Sequence, residues 1–568
     1  MSKTVTVFGK NINEFSIVCP AVSSKNELYA SRELAKYLTL TTGAEFTVKE
    51  SAEKPRILIG TAACADKHVY TGDHEEGFTI DIAEDEIRIE GGYKRGSMYG
   101  VYTLLEDYLG WRFLSNDSEY LSGGDVCLDK PVTDTQIPVF EWRDVCSVGL
   151  RDTVISAKRK LNSSYLRDFS EEEGGSFLYP GRFIHTMESL LGVPQHHQPC
   201  FTDEANIEKC IESVRTLLRA NPEARVISLS QNDADVDEHI WCDCDRCKEL
   251  DEREGSHAAS MLYFVNRVAE AIEDEFPKVK LMTLAYLESV KCPKTMRPRN
   301  NVIIEFAPIT LCYIHEIDDP NCEANKDMLK DFAEWSKITD QIYLWDYEVN
   351  FSFSVPIFPN FHVLRHNINY YVDHSVTGMF CEGDNAHQPN SASDLSELRA
   401  YLLSKLLWKP DMSEEEFLQH RSDFLLGYYG KGGEEIGKYV DMISEIVYKP
   451  DHHIQCFQNP IWLMPMAEFI AKIPELKACW DRAAALAETD DEKSHIERSF
   501  LQFELLKLLY TWDEEYEAAG EEKRKELVEE NRKFYETLCR YEVHPRGEHS
   551  EIPVLTDFTQ NMGKKIYW

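Results

Sequence analysis

Three carboxylates draw attention by position, because each closes or interrupts a short apolar run. Asp233 ends Ser228-Leu229-Ser230-Gln231-Asn232-Asp233, Asp346 sits inside Tyr343-Leu344-Trp345-Asp346-Tyr347-Glu348, and Glu382 follows Phe380-Cys381. Runs of this kind read as buried strands, so an acid at the mouth of one is not a random surface charge. Paired carboxylates flanking a pocket are what glycosidic hydrolysis requires. One, kept protonated, donates to the leaving oxygen; the other activates water or attacks the anomeric carbon. Trp345, Tyr347, Tyr286, Trp241 and Phe351 fall near the same strand ends and offer flat faces to the apolar side of a sugar ring, while His185 and Asn232 suit hydroxyls. The competing reading of any single acid is a turn cap or a salt-bridge partner.

A second chemistry is written in Trp241-Cys242-Asp243-Cys244-Asp245-Arg246-Cys247. Cys242, Cys244 and Cys247 could supply three of the four ligands of a tetrahedral zinc ion, the fourth coming from His239, or from Cys312 or His315. A second Cys pair, as in a zinc ribbon, is missing, and the alternative is a set of free thiols ordering a long loop. Any zinc here is expected to be structural, and no cofactor is expected in catalysis. His196-His197 and His452-His453 read as surface or loop residues, and Ser256 as an N-cap that accounts for His257.

These groups need a scaffold that brings strand ends together. From residue 139 onward, eight strand candidates alternate with helical patterns: Phe140–Cys146, Lys160–Tyr165, Arg182–Thr186, Arg225–Asp233, Lys280–Tyr286, Asn301–Pro308, Gln341–Glu348 and Thr377–Asp384. Eight β–α alternations over about 270 residues match a (β/α)8 TIM barrel, whose active sites lie at the C-terminal ends of the strands. An open doubly wound sheet is the alternative, but no Gly-rich phosphate loop follows an early strand. Residues 1–135 read as a small α/β domain, with a helix over Glu27–Thr42 stopped by Gly43 and a hairpin over Gly77–Glu90. The barrel is assigned to 136–410. Beyond Trp408-Lys409-Pro410 the pattern is helical, giving a third domain over 411–568 with long helices at Glu414–Tyr429, Gly433–Val447, Pro465–Thr489, Asp490–Ala519 and Glu521–Tyr541.

Composition fits an ordinary globular α/β protein. The 568 residues are 43% hydrophobic, too many for a disordered chain and too long for one core. Lys and Arg number 61 against 99 Asp and Glu, a net −38. That surplus repels phosphate backbones and anionic lipid, so neither nucleic acid nor a membrane is expected as partner. The N-terminus shows no apolar leader, and most of the 16 cysteines sit singly in apolar segments, which together predict a cytoplasmic protein with free thiols.

Several segments resemble known families. Leu28 to Thr42 (an Ala-x-x-Glu-Leu helix ending Thr-Gly-Ala), the strand Ile57-Leu58-Ile59-Gly60, and Lys94-Arg95-Gly96-Ser97-Met98-Tyr99-Gly100 through Gly110-Trp111-Arg112-Phe113 resemble the domain that precedes the barrel in family 67 α-glucuronidases and family 20 hexosaminidases. Most of residues 25–445 resembles a bacterial family known only as a domain of unknown function and grouped with glycoside hydrolases. Its marks here are Gln231-Asn232-Asp233, Trp241-Cys242-x-Cys244-x-x-Cys247, Leu344-Trp345-Asp346-Tyr347-x-x-Asn350-Phe351, Pro359-Asn360, Gly378-x-Phe380-x-Glu382-Gly383, and Leu398-Arg399-Ala400 through Trp408. The resemblance implies a barrel with Asp233 as acid, and Asp346 and Glu382 as base or nucleophile in either order. Hexosaminidases carry an adjacent acidic pair after strand four; Asn232 departs from that pattern. The expectation is therefore an exo-acting glycoside hydrolase, α-glucuronidase-like or hexosaminidase-like, on an oligosaccharide. A non-catalytic carbohydrate-binding barrel and a metal-dependent hydrolase or lyase using the cysteines are the alternatives; a homodimer stays open, as do the sugar, linkage and stereochemistry.

Overall fold

A computed structural model describes residues 2–64, 75–92, 94–177, 179–234, 240–384 and 395–543. His239, one of the expected zinc ligands, lies outside them. The N-terminal part is built as its local signals direct. Ser24 caps the helix Lys25–Thr42, accepting from the Glu27 N–H while the Glu27 carboxylate accepts from the Ser24 N–H, and left-handed Gly43 ends it. Its buried face packs on a six-stranded sheet in the order Val132–Gln136, Phe78–Ala83, Glu86–Gly91, Arg56–Ile59, Ser16–Val18, Val48–Lys49. The hairpin between Phe78–Ala83 and Glu86–Gly91 is antiparallel, as its alternating pattern dictates.

The centre of the molecule is a wholly parallel sheet of six strands: β1 (Trp142–Cys146), β2 (Val226–Ser228), β3 (Lys280–Ala285), β4 (Val302–Phe306), β5 (Ile342–Tyr347) and β6 (Val376–Glu382). They stand in the order β1-β6-β5-β4-β3-β2, a half-barrel, with helices such as Glu204–Ala220, Ala258–Ile272, Lys326–Ser336 and Leu364–Asp373 between them and Ser396–Trp408 after the last. Six strands form where eight were expected. Lys160–Tyr165 and Arg182–Thr186 are irregular, and each contains a residue with left-handed backbone, Lys160 (φ 59°) and His185 (φ 52°), which breaks a strand. Both segments still dock beside the sheet. The Asn162 N–H donates to Arg143 O (3.3 Å), and the Thr186 N–H to Ser230 O (3.1 Å).

The concave side is filled by alternate residues. Trp142 stacks on Tyr343 (5.2 Å) and Phe380 (6.1 Å), and Trp345 meets Phe380 at 4.4 Å. This packing leaves no room for a side chain at Gly378, where a Cβ would lie 2.6 Å from the Tyr343 ring. We expect Gly378→Ala to destabilise the fold by about 1–3 kcal/mol through overpacking, read as a lowered urea midpoint.

Beyond the sheet, helices Glu414–Tyr429, Gly433–Val447, Met466–Leu486, Asp490–Ala518 and Glu521–Arg540 follow the predicted segments closely. No helix among the described residues is long and apolar enough to cross a membrane.

Candidate functional site

A cleft of about 380 Å³ opens at the C-terminal ends of β3 to β6, lined by Asp233, Glu382, His185, Tyr286, Trp345 and Tyr347 together with Tyr165, Arg182, Phe183, Ile309 and Phe457. Six residues picked out from the sequence thus share one wall system. The strand periodicity decides which. Along β5, Tyr343, Trp345 and Tyr347 face the concave side, so Asp346 and Glu348 face the other way. Asp346 is buried away from the cleft, where burial and the Glu348 carboxylate push its pKa well above the usual carboxylate range. Glu348 accepts from Asn360 Nδ2 (2.8 Å), and the Arg399 guanidinium bonds Asn360 Oδ1 and Phe358 O (2.7 Å). The Pro359-Asn360 and Leu398-Arg399 motifs are explained by this network, which ties β5 to the helix Ser396–Trp408.

Glu382, last residue of β6, accepts a hydrogen bond from Trp345 Nε1 at 2.8 Å, so an aromatic wall and a carboxylate are held as one unit. Asp233 reaches the cleft from the loop after β2, and the two residues before it do the holding. Gln231 Nε2 donates to Ser289 Oγ (2.7 Å) and Tyr286 O (3.1 Å). Asn232 Nδ2 donates to Val193 O (3.1 Å), Pro194 O (3.0 Å) and His197 O (3.0 Å), and its Oδ1 accepts from the Glu188 N–H (3.2 Å). Asn232 is therefore a loop clamp and does not line the cleft. The Asp233 side chain remains 43% exposed, open to a ligand.

His185 Nε2 stands 3.8 Å from Asp233 Oδ1, and its Nδ1 lies 2.9 Å from Gln231 O. Burial lowers the His185 pKa, outweighing the pull of Asp233. A neutral imidazole donating from Nδ1 to Gln231 O leaves Nε2 as an acceptor turned toward Asp233. The floor is aromatic, with Phe183 stacked against Trp345 at 5.7 Å. Tyr347 stands in register with Glu382, and burial pushes its hydroxyl well above the usual range. Arg182, which sequence reasoning missed, brings a cation to the wall and pairs with Glu188 at 3.1 Å. Trp241 lies off the cleft, stacked on His257 at 5.1 Å.

The cysteine cluster acquires its fourth member from the loop before Glu204–Ala220. Cys200 Sγ lies 3.5 Å from Cys244 Sγ and 3.8 Å from Cys247 Sγ, and with Cys242 the four sulfurs fall within 4.8 Å of one another. A zinc–sulfur bond of ~2.3 Å gives tetrahedral edges of ~3.8 Å, so the spacing suits that ion. The Cys247 N–H, at the start of Asp245–Glu254, and neighbouring thiols bring Cys244 down to about 6. Cys312 and His315 do not join this cluster; they fall in a separate one. None of these four thiols lines the cleft.

The family model described as "Domain of unknown function (DUF4838)" matches residues 132–441. No curated protein matches the sequence. Among solved structures, a family GH115 4-O-methyl-α-glucuronidase with specificity for decorated arabinogalactans superposes with a TM-score of 0.60 at 10% identity, covering 98% of this chain and 81% of its own. A GH138 enzyme targeting pectin rhamnogalacturonan II gives 0.48 at 12% identity, covering 96% of each chain. A GH20 exo-β-N-acetylglucosaminidase from Vibrio harveyi gives 0.38 at 12% identity over 72% of each chain. At these identities the first likeness concerns the fold alone, and the others are weaker.

Proposed function

The chain belongs to the DUF4838 family, and from that premise we propose that it is a glycoside hydrolase whose acid–base pair is Asp233 and Glu382. The observation that carries the reading is the convergence of these two carboxylates on one aromatic-floored cleft, Glu382 hydrogen-bonded to Trp345 and Asp233 carried by a loop that Gln231 and Asn232 clamp. Asp233 acts as the acid and Glu382 as base or nucleophile. His185 and Tyr347 stand beside them as hydroxyl-binding groups, and Trp345 and Tyr286 take the apolar face of the ring. The cleft volume is that of a small-ligand pocket, which suits the terminal residue of an oligosaccharide and hence exo action. Arg182 favours a sugar bearing a carboxylate, a reading to which the GH115 likeness adds weight only by analogy.

The scaffold under this site is read as a (β/α)8 barrel in which the two segments docked between β1 and β2 replace regular strands, with divisions near residues 135 and 410. Cys200, Cys242, Cys244 and Cys247 are read as a structural zinc site: four thiolates close the coordination shell and leave no position for substrate.

The test is hydrolysis of a panel of aryl glycosides and short oligosaccharides, uronides included, by wild type and Asp233→Asn. Turnover of at least one substrate, lost by at least about 10²-fold in the variant, is the expected result. Saturable binding of these sugars with no turnover by wild type would make the protein a carbohydrate-binding barrel instead, and full activity in Asp233→Asn would remove Asp233 as the acid.

A further inference from the structure

After β4 the chain makes an irregular excursion that carries Cys312, His315 and Cys322, and after Gly433–Val447 a second loop carries His453. One sulfur or nitrogen from each falls within 4.8 Å of the others. Cys312 Sγ is 3.4 Å from His315 Nδ1, and Cys322 Sγ is 3.7 Å from His453 Nδ1. A tetrahedral zinc with bonds of ~2.3 Å to sulfur and ~2.0–2.1 Å to nitrogen needs sulfur–nitrogen edges of ~3.5 Å. The orientation of one imidazole is also fixed from behind: His315 Nε2 lies 3.1 Å from Lys449 O. Donating there leaves the Nδ1 lone pair toward the cluster, the outer-shell arrangement that metal-ligating histidines adopt. Cys312, His315 and Cys322 are buried, His453 partly so.

We propose that Cys312, His315, Cys322 and His453 bind one zinc ion, which staples the loop after β4 to the loop after Gly433–Val447. Two thiols and two imidazoles are borderline-soft donors that select zinc over calcium or magnesium, and four protein ligands make the site structural. The staple sits where the helical region meets the candidate cleft. The Tyr313 N–H donates to Ile454 O (2.8 Å), the Phe351 N–H to Cys456 O (2.7 Å), and Cys456 Sγ to Ile309 O (3.3 Å). The next residue, Phe457, forms part of the cleft wall with Ile309. The ion would therefore set the position of a wall contributed from a loop 131 residues further along the chain than Cys322.

The experiment is elemental analysis of the full-length protein after dialysis against metal-free buffer, for wild type, Cys322→Ser, His453→Ala, His453→Cys and Cys247→Ser. If both cysteine sites bind zinc, wild type carries two equivalents. Cys322→Ser and His453→Ala each lose one, His453→Cys keeps it, and Cys247→Ser loses the other. Zinc content unchanged by Cys322→Ser and His453→Ala overturns the staple whatever Cys247→Ser does. Loss confined to Cys322→Ser and His453→Ala upholds the staple and removes the four-thiol site. Hydrogen exchange provides a check that needs no variant. Chelation of the wild-type metal is expected to raise exchange at residues 309–314 and 450–458; removal of all zinc with unchanged protection there overturns the positioning role.

Discussion

Glu382→Gln is expected to lower kcat/KM on any cleaved glycoside by about 10²–10⁴-fold, while Asp346→Asn keeps activity within a few-fold of wild type. The two acids lie in equally promising sequence surroundings, and the half-barrel separates them. Glu382 projects into the cleft and accepts from Trp345 Nε1, whereas Asp346 is turned behind β5 toward Glu348. In Glu382→Gln the side-chain amide oxygen can still accept from Trp345, so the wall survives and only the charge is lost. Steady-state kinetics, with circular dichroism to confirm folding, checks both variants. An inactive but folded Asp346→Asn alongside an active Glu382→Gln would reverse the assignment. The anomeric configuration of the first product released by wild type, read by NMR, decides between the two roles of Glu382: retention identifies a nucleophile and inversion a general base.

The sequence makes visible what local chemistry decides. Ser24, Glu27 and Gly43 bound a helix through interactions three or four residues apart, and the hairpin at Phe78–Gly91 follows from strict alternation. Alternation could also have placed Asp346, because Trp345 and Tyr347 cannot both face a pocket with the residue between them. What local pattern does not reveal is set by distant contacts. Lys160 adopts its left-handed conformation with its ammonium 3.7 Å from the Glu106 carboxylate and over the Trp408 ring, partners 54 and 248 residues away. Cys200 stands 42 residues before Cys242, and His453 131 residues after Cys322, spacings that no short motif encodes. Gln231-Asn232-Asp233 was legible as a unit, but only the hydrogen bonds show that two of its members position the third.

Glu305→Gln is expected to stabilise the protein at alkaline pH and to flatten the dependence of its stability on pH. Glu305 lies on β4 in register with Leu284 and Tyr343, on the face that fills the half-barrel below the cleft. It is fully buried, and neither carboxylate oxygen finds a hydrogen-bond partner among the described residues. Burial raises its pKa from 4.5 to about 8. The sign follows from linkage: the folded protein keeps this proton up to about pH 8, while the unfolded chain releases it from about pH 4.5. The favourable contribution present below the lower value is lost progressively between the two and stays lost above them. At about 1.4 kcal/mol per pKa unit, the full excursion is on the order of a few kcal/mol. A glutamine of similar shape cannot ionise, so its penalty is the same at every pH. Urea denaturation at pH 5 and pH 8.5 should show a wild-type midpoint that falls with pH across this window and a Glu305→Gln midpoint that falls much less. Parallel curves for the two proteins would mean that Glu305 ionises at little cost in the folded state.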